Sequence, residues 1–478
     1  IQQDFQEDLS GKVQKLPSDI LKYYDLASGL MIDGVGSDYI KWNMASFMGR
    51  VNYGYMGRYL LTLSARYDGS SRLAEGHKWV LFPSAALAWR ISDEPFMKDL
   101  VWLDNLKLRV GYGKTGNSAV SPYQTKGQLA LRHYVFNNGS SEYIGYAPSV
   151  MANDQLTWET TDQWNVGVDF GFLKNRINGT VEFYLQNTKD LLLKRQLPVV
   201  SGFSSVMSNV GSTRNKGIEI TLNTRNIMNR NFTWSTDLTF SANKEEIVEL
   251  YNGKTDDVGN LWFIGQPIDV YYNYKKIGIW QNTENDLAEM AKFNEKGANF
   301  KPGSIRLEDV DGDYKITEED KQILGSVRPK FVASMVNNFE FKGFDLSVFL
   351  YASVGGLLRN NIEFMEKPGR GNTVKVDYWT PTNPTNAFPR PSVDVEKLDY
   401  ISTLGYDKAD FLRIRNITLG YTLPEMWSKK VLMDKIRIYL SANNPAIFTN
   451  FTGIDPEGAN GRTAPSYSTW MFGINLSM

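Results

Sequence analysis

The residues Trp164–Phe172, with the sequence WNVGVDFGF, are the clearest indication of the fold, because apolar residues alternate along them with polar or small ones. Successive side chains of a β-strand point to opposite faces. This period of two therefore predicts a strand with one apolar face and one polar face. The same alternation recurs in the segments 47–55, 59–68, 106–112, 177–185, 232–242, 344–352 and 436–442.

The length of these segments indicates a membrane. They have about ten residues, whereas strands of globular proteins usually have about five or six. A tilted strand that crosses a bilayer needs about 9–11 residues, apolar outward and polar inward. The pattern predicts an all-β protein with a transmembrane antiparallel β-barrel; a soluble sandwich or propeller is the alternative. Near the strand ends lie aromatic residues typical of a membrane interface, namely Tyr53, Tyr55, Tyr59 and Tyr67.

The predicted connections are either very short or very long. Outer-membrane barrels have short periplasmic turns and long extracellular loops, and compact soluble domains rarely contain long loops without a role. The short connections lie at 56–57, 173–176, 228–231 and 342–343, and the long ones near 115–156, 249–328 and 357–406.

The strand count depends on these connections. Counting backward from a C-terminal strand that ends in the periplasm gives about thirteen spanning strands within residues 43–478. The short turns are all periplasmic only if the strand-like stretches 126–136 and 266–280 do not cross the membrane. Residues 1–42 are then predicted to be an extracellular loop segment that leads into the barrel. The spanning strands are expected near 43–55, 58–68, 80–92, 104–114, 157–172, 176–192, 208–226, 231–248, 329–342, 343–356, 407–423, 434–446 and 466–478.

The composition excludes several other classes. A mean hydropathy of −0.36 without a long apolar run excludes a helical membrane protein. The 52 basic and 53 acidic side chains give no support to nucleic-acid binding. With no Cys and only two His, a disulfide scaffold, a thiolate metal site and a His-based triad are excluded. The carboxylate pairs 245–246 and 318–319 are typical of solvated faces, so no catalytic residues and no enzyme are predicted.

Several sequence blocks resemble SusC/RagA-type TonB-dependent outer-membrane transporters, in the order in which that family has them. The longest block is FLRIRNITLGYTLP at 411–424, followed by SANN at 441–444 and GIDPE at 453–457. The resemblance covers about residues 40–478. Similar blocks upstream are YDGSSR at 67–72, FPS at 82–84, WETT at 158–161, TKDLL at 188–192 and the segment 309–329.

The resemblance implies a barrel of about 22 strands whose lumen holds an N-terminal plug. About nine strands are then missing. Nine strands that start upward from the periplasm end outside, where the strand count places the first residues of this chain. The chain is therefore identified as the C-terminal part of such a barrel, with the plug and the early strands supplied by an N-terminal half. The first residues contain no Met, basic n-region or apolar h-region, which indicates a removed signal peptide or an internal fragment.

The resemblance also implies a function at the bacterial cell outer membrane. It implies a multi-pass importer of oligomeric nutrients, either glycans or peptides, surrounded by outer-membrane lipids. A SusD-like surface lipoprotein would close the barrel mouth, and TonB would act through the plug. Two alternatives remain, a surface barrel or adhesin that does not transport and a soluble all-β glycan-active enzyme. The substrate-binding residues are not identified, because specificity lies in the geometry of the loops.

The stretch Asp309–Asp320, with the sequence DVDGDYKITEED, has the spacing of an EF-hand calcium loop. Position 6 is Tyr314 rather than the usual Gly, and position 12 is Asp rather than Glu. A solvated acidic turn is the alternative, and no other cofactor is predicted. The predicted Ca²⁺ ligands are the carboxylates of Asp309, Asp311, Asp313 and Asp320 and the backbone carbonyl of Lys315.

The aromatic residues of the long loops form a second candidate group. They either stack on sugar rings or pack the loops against themselves. These residues are Trp262, Tyr271, Tyr272, Trp280, Tyr378 and Trp379.

The alternation also assigns the faces of the barrel wall, because a slip of one residue would place charges in hydrocarbon. Residues of one set are predicted to face lipid: Leu61, Val166, Phe183, Leu238 and Val348. Residues of the other set are predicted to face the lumen: Arg66, Asp169, Glu182, Asp237 and Asp345.

An odd number of strands cannot close an antiparallel barrel. The first strand, Ala45–Tyr55, and the last, Ser466–Met478, would both run downward. Free strand edges leave backbone groups unpaired, which hydrocarbon does not tolerate. Both strands are therefore predicted to pair with strands of the N-terminal half.

Overall fold

The structure, a computed structural model, describes residues 1–478 except 19, 21, 23, 137–140, 361–375, 393–397 and 458–465. Two helices are present in the described ranges, α1 (Glu284–Glu295) and α2 (Glu425–Ser428), and neither is long and apolar enough to traverse a bilayer. The strands are β1 (Gln2–Gln14), β2 (Met31–Tyr55), β3 (Tyr59–Ser70), β4 (Trp79–Arg90), β5 (Leu103–Asn117), β6 (Gln128–Phe136), β7 (Ser141–Val150), β8 (Glu159–Phe172), β9 (Ile177–Lys189), β10 (Leu192–Gln196), β11 (Ser205–Asn209), β12 (Ser212–Met228), β13 (Phe232–Glu249), β14 (Val270–Tyr274), β15 (Lys276–Ile279), β16 (Ile305–Leu307), β17 (Lys321–Ser326), β18 (Phe331–Phe341), β19 (Phe344–Val354), β20 (Leu357–Arg359), β21 (Tyr406–Lys408), β22 (Phe411–Thr422), β23 (Lys435–Thr449) and β24 (Thr469–Ser477).

The dominant feature is a single antiparallel sheet, which we call the wall. Among the described residues it contains fourteen strands, in the order β1-β2-β3-β4-β5-β8-β9-β12-β13-β18-β19-β22-β23-β24. Each wall strand pairs with the next one along the chain, so the wall is an antiparallel meander. Every predicted spanning segment corresponds to a strand of the wall, and the prediction of a large antiparallel barrel sheet is confirmed.

The wall has one apolar face that continues from strand to strand. Residues paired in an antiparallel sheet lie on the same face. The pairing links the two sets of face residues into two separate surfaces, one apolar and one polar, as the alternation predicts. One apolar row follows the register through Leu61, Leu87, Val110, Val166, Phe183, Ile218 and Ala242.

Aromatic residues border the apolar face at both ends of the strands. At the end with the short turns, which we call the turn end, the ring centroids of Tyr59 and Trp89 lie 6.4 Å apart. At the opposite end, which carries the long loops and which we call the loop end, Tyr67 and Trp79 stack at 5.0 Å. Two such rings of aromatic side chains are typical of a membrane barrel.

Short turns fix the register of the hairpins. Between β18 and β19, Lys342 and Gly343 have φ values of +47° and +90°. Positive φ at both central residues matches the twist of a two-residue hairpin, and Gly adopts it without steric cost. The predicted short connection at 342–343 is therefore a tight turn.

The segment 1–42 differs from the prediction of a loop. β1 pairs with the first part of β2, from Gln2 opposite Met44 to Gln14 opposite Met31. β3 pairs only with the rest of β2, from Met44 to Tyr55. This hairpin therefore extends the first spanning strand beyond the loop end of the wall and adds one strand to the thirteen predicted.

The two long edges of the wall are free. In the part of the chain that the structure describes, β24 pairs with β23 alone, and residues 45–55 of β2 pair with β3 alone. The wall does not close on itself within these residues. The prediction that an N-terminal half covers these edges stays a prediction.

The long connections carry their own small sheets, all at the loop end. These pairs are β6–β7, β10–β11, β14–β17, β15–β16 and β20–β21. The stretches 126–136 and 266–280 fall in β6, β14 and β15, which lie outside the wall. This position outside the wall agrees with the expectation that neither stretch crosses the membrane, which stays a prediction.

Candidate functional site

The polar face of the wall is lined by side chains that neutralise one another. The Arg109 guanidinium lies between Asp169 and Glu182, with its Nη2 2.9 Å from Asp169 Oδ1. Lys107 Nζ lies 3.6 Å from the same carboxylate of Asp169. These charges pair within the wall. The polar face therefore presents mainly hydrogen-bonding groups rather than a strong electrostatic field of one sign.

Large side chains lie flat against this face where the neighbouring strand has glycine. A Cβ on Gly217 would lie 2.5 Å from the Tyr184 hydroxyl oxygen, and one on Gly473 would lie 2.3 Å from Tyr439 Cζ. These glycines let the rings cover the sheet instead of projecting from it. These rings therefore leave the polar surface above them open.

Two of the family-like blocks contact each other through a buried ion cluster. Arg413 Nη2 donates to Asp455 Oδ1 at 2.7 Å, and Arg413 Nε lies 2.8 Å from Glu457 Oε2. Arg415 pairs with Glu457 as well. The Arg413 side chain is only 3% exposed. The cluster fixes the loop after β23 against the end of β22.

A β-bulge places these arginines on the inner face. The register between β22 and β23 shifts between Ile414 and Asn416, opposite Asn443 and Ala446. In the pairing with β19, where Phe349 is opposite Asn416 and Leu350 is opposite Ile414, Arg415 is the extra residue of β22. Its guanidinium carbon lies 4.9 Å from the centre of the Tyr351 ring. Asn416 donates from Nδ2 to the hydroxyl of Ser441 and to Asn443 Oδ1, at 3.0 and 2.7 Å. The SANN block is therefore part of this bulge.

Two of the long connections fold together into one unit, which we call the outer module and which comprises the described parts of 250–328 and 376–409. Its core contains buried residues from both connections: Ile279, Ile305, Leu307, Trp379, Ile401 and Leu404. Lys276 Nζ donates to the carbonyls of Asn386 and Ala387 at 2.8 and 2.7 Å. Burial lowers the pKa of Lys276. These contacts make the loop end a folded structure.

The aromatic residues of the loops have mainly a packing role. Trp280 and Trp379 are 1% and 5% exposed. Trp280 packs with Phe293 and Phe300, and Trp379 donates from Nε1 to Gln281 Oε1 at 2.8 Å. These two indoles are therefore unable to stack on a sugar from solvent. Of the remaining loop aromatics, Tyr378 is exposed, whereas Trp262, Tyr271 and Tyr272 are half-buried.

The acidic stretch 309–320 lies in the outer module and brings three predicted ligands together. Carboxylate oxygens of Asp309, Asp311 and Asp313 lie within 4.8 Å of one another. Asp309 Oδ1 and Oδ2 accept the backbone N–H groups of Gly312 and Tyr314 at 2.8 and 2.9 Å. Tyr314 has a φ of +61°, the left-handed conformation that Gly usually provides at this position. The loop therefore has a tight turn despite the missing glycine.

The other two predicted ligands have different surroundings. Asp320 is 1% exposed, and its two carboxylate oxygens accept the backbone N–H groups of Val310 and Thr317 at 2.8 and 2.7 Å. It lies outside the group of three carboxylates and closes the two ends of the loop. The backbone N–H of Lys315 donates to Asp313 Oδ1 at 2.7 Å.

The electrostatics of this loop favour a cation. The backbone N–H of Asp313 lowers the pKa of Asp311, but desolvation and the nearby carboxylates of Asp313, Asp309 and Asp320 outweigh it, so that the pKa is raised. Mutual repulsion of carboxylates is relieved when a cation binds between them. Three convergent carboxylates can therefore bind a hard cation such as Ca²⁺.

The buried ion cluster was missed by the reasoning from sequence. Arg413 and Asp455 are separated by 42 residues, and each belongs to a different block. The available signal was charge in blocks that otherwise follow the strand pattern: two Arg within β22 and two acidic residues in GIDPE. A charge inside a spanning strand needs a partner, so these residues could have been paired as a hypothesis.

Comparisons with known proteins agree with this architecture. The family model described as "TonB dependent receptor-like, beta-barrel" matches residues 11–445. TonB-dependent receptor P3 of Formosa agariphila is 33% identical over 488 residues, which cover 95% of this chain and 48% of the relative. TonB-dependent receptor SusC of Bacteroides thetaiotaomicron is 32% identical over 455 residues, which cover 91% of this chain and 43% of SusC. The chain thus spans about half the length of these curated relatives.

Solved structures show the same fold. A structure of the RagAB peptide transporter matches with a TM-score of 0.79 and 25% identity, over 96% of this chain and 50% of the other. The RagAB peptide importer in its "open-open" state matches with a TM-score of 0.79 and 26% identity, over 96% and 49%.

Proposed function

Because this chain belongs to the TonB-dependent receptor-like β-barrel family, we propose that it forms the C-terminal part of an outer-membrane importer for oligomeric nutrients. The chain is an outer-membrane barrel protein of SusC/RagA type and not an enzyme, so the alternative of a soluble glycan-active enzyme is wrong. The observation that carries the proposal is the wall itself, with an apolar face toward lipid and an open polar face toward a lumen. A polar lumen gives hydrophilic oligomers a passage through the membrane.

The complete importer has further components in this proposal. An N-terminal half supplies the plug and the early strands, and TonB acts on that plug from the periplasm. A SusD-like lipoprotein closes over the loop end, which is then extracellular, and the hairpin of residues 1–42 stands on the same side. The folded outer module supports a partner there, because packed loops offer a defined surface for docking.

The transported nutrient is proposed to be either a peptide or a glycan. Purification of the complete protein with its lipoprotein from the native membrane, followed by mass spectrometry of the co-purified small molecules, separates the two classes. A strain that lacks the gene should lose growth on oligomers of the captured class and keep growth on the corresponding monomers. Normal growth and uptake in that strain would favour the other candidate, a surface barrel or adhesin without transport.

We also propose that Asp309, Asp311 and Asp313 bind one Ca²⁺ together with the carbonyl of Lys315. In this proposal Asp320 holds the loop closed rather than binding the ion, because both of its oxygens accept backbone N–H groups. The ion would stabilise the outer module by linking the ends of a tight, acidic loop.

Calcium titration of the complete protein in detergent tests this site. The variant Asp311→Asn/Asp313→Asn should lose the Ca²⁺-dependent rise in the melting temperature of the outer module. The matched control Glu284→Gln/Glu295→Gln removes two acidic residues of α1 in the same module and should keep it. An unchanged calcium response in the first variant, or none in the wild type, would leave the reading of a solvated acidic turn.

A further inference from the structure

A cluster of basic residues occupies one sector of the wall's apolar face, immediately beyond its apolar belt at the loop end. The register places all of these residues on the same face as the lipid-facing residues of β5, β8, β9, β12 and β13. We call this cluster the basic sector, and its cations are Lys114, Lys189, Arg214, Lys216 and Lys244.

The position of the basic sector along the strands follows from the length of the apolar belt below it. On β9 the belt extends from Ile177 to Leu185, about nine residues, which is close to the length that a tilted strand needs to cross hydrocarbon. Tyr112 and Trp164 end the belt on β5 and β8, with ring centroids 4.9 Å apart. Aromatic residues of this kind mark the level of the lipid headgroups. Lys216 and Lys244 lie at that level, and the other three cations lie one or two same-face positions beyond it.

The charges of the sector are not balanced within the protein. Among the described residues the sector contains three carboxylates, Asp162, Glu246 and Glu249, against its five cations. Glu246 is shared, at 3.5 Å from Arg214 Nη1 and 3.7 Å from Lys244 Nζ. Asp162 Oδ1 accepts a hydrogen bond from the Tyr112 hydroxyl at 2.8 Å. A net positive charge therefore remains at the level of the lipid headgroups.

One pair of lysines in the sector favours an anion bound between them. Lys216 and Lys244 are opposite residues on β12 and β13. Like charges that face each other across two strands destabilise a sheet. Within the described part of the chain, no ion pair or hydrogen bond joins the Lys216 side chain to another residue. A phosphate between the two ammonium groups would remove the repulsion.

The surface next to these lysines is a shallow pocket. It has a volume of about 250 Å³ and is lined by Asp162, Asn187, Lys189, Ser212, Thr213, Arg214 and Val248. Arg214 Nε donates to Asn187 Oδ1 at 3.0 Å, which holds the guanidinium at its edge. Cations and amide or hydroxyl groups are donors suited to phosphate and sugar oxygens.

The basic sector differs from the wall on both of its sides. Near the loop end the same face of the flanking strands carries aromatic side chains, Tyr67 and Trp79 on one side and Phe331, Phe448 and Trp470 on the other. The cations are thus concentrated where the wall would meet one patch of the surrounding leaflet.

We propose that the basic sector binds the phosphorylated headgroup of an outer-leaflet glycolipid, with its acyl chains along the apolar belt below. The cations lie directly above a lipid-facing belt, which favours a lipid over a soluble anion as the ligand. Only a lipid places phosphate at this level and acyl chains beneath it. Basic clusters at a membrane surface bind anionic headgroups in this way. The proposal depends on the membrane location of the wall and not on the nutrient transported.

Native mass spectrometry of the complete protein in detergent tests the proposal, with bisphosphorylated lipid A as the probe. The variant Lys216→Gln/Lys244→Gln should bind the probe about 25-fold more weakly, at about fivefold for each charge removed. The matched control Lys254→Gln/Lys296→Gln removes two exposed lysines of the outer module and should bind like the wild type. Heat-modifiable migration in gels should be the same for all variants, which shows that each barrel folds.

Two further probes separate the sources of the phosphate. Dephosphorylated lipid A should bind the wild type weakly, and inorganic phosphate at millimolar concentration should not displace the phosphorylated lipid. Equal binding of the probe by the two double variants, or equal binding of the two lipids, would overturn the proposal. Displacement of the lipid by inorganic phosphate would indicate a site for a soluble anion. Loss of a protein partner instead of the lipid in the variant would indicate a protein interface. Either result would overturn the proposal.

Discussion

Single residues matter most where charge is buried at the loop end. Arg413 is held between Asp455 and Glu457, and the three side chains join β22 to the loop after β23. Breaking a buried ion pair by removing one partner leaves an uncompensated charge, which is far more destabilising than the loss of an exposed pair. The cluster therefore keeps the mouth of the barrel in one arrangement.

The substitution Arg413→Ala tests this role. It leaves the buried Asp455 without its cation, while Glu457 keeps Arg415, and should destabilise the folded protein by about 3–5 kcal/mol, measured by urea unfolding of the complete protein in vesicles. The control Lys429→Gln breaks an exposed pair with Glu425 and should change the stability by less than about 1 kcal/mol. Equal effects of the two substitutions would show that the buried cluster is not a stabilising contact.

The same cluster should make stability depend on pH. Burial raises the pKa of Asp455, but hydrogen bonds from Ser466, the backbone N–H of Glu457 and Arg413 outweigh it, so that the pKa lies below its usual value. A depressed pKa in the folded state gives stability that is present above the unfolded pKa of about 3.9 and lost as the pH falls below it. The stability advantage of the wild type over Asp455→Asn should be constant from neutral pH to about 5 and shrink below about 4. A gap that grows toward acid pH would contradict this assignment.

At the scale of strands, the sequence predicts the spanning strands of the wall well but does not predict β1. A strand between lipid and water must alternate, so the period of two identifies each spanning strand from Ala45 onward. β1 has no such constraint, because both faces of its hairpin with β2 are exposed. Its apolar residues Phe5, Leu9 and Val13 recur every four positions and predict no strand.

In the candidate sites as well, local features can be predicted from the sequence, whereas contacts between distant segments cannot. The convergence of three carboxylates in the acidic loop at 309–320 was predictable, because the predicted ligands are close in sequence and the turn is local. The roles of Trp280 and Trp379 were not, because burial depends on how two distant connections pack into the outer module. The contact between Arg413 and Asp455 likewise depends on a bulge that the alternation does not encode.

Neighbouring positions of β8 provide a test of the face assignment. Val166→Arg places a cation on the lipid side near the middle of the belt and should cost about 2–4 kcal/mol of folding free energy. Asn165→Arg, on the polar side of the same strand, should have little effect because its side chain remains in water. Folding into vesicles followed by urea titration measures both, and a larger loss for Asn165→Arg would reverse the two faces.

At the scale of the whole molecule, the wall is a sheet that does not close within the described residues. β2 and β24 run in the same direction, and in the described part of the chain each has a free edge along its spanning part. Unpaired backbone in hydrocarbon costs several kcal/mol for each group, so both edges need partners in the membrane. A strand that continues β1 toward the turn end would cover residues 45–55 in the register set by Gln2 and Met44. In a barrel of about 22 strands, the thirteen wall strands from β2 to β24 and this continuation of β1 would leave about eight further strands for the N-terminal half.

Disulfide cross-linking in the complete protein tests this claim, because these 478 residues contain no Cys that could compete with the engineered pairs. Two control pairs join neighbouring strands, Val51→Cys with Leu63→Cys and Ile438→Cys with Ile474→Cys. Both should form disulfides in the outer membrane, whereas Val51→Cys with Ile474→Cys should form none, because strands from the N-terminal half separate β2 from β24. Efficient cross-linking of that third pair would show that the wall closes on itself, and it would contradict the account.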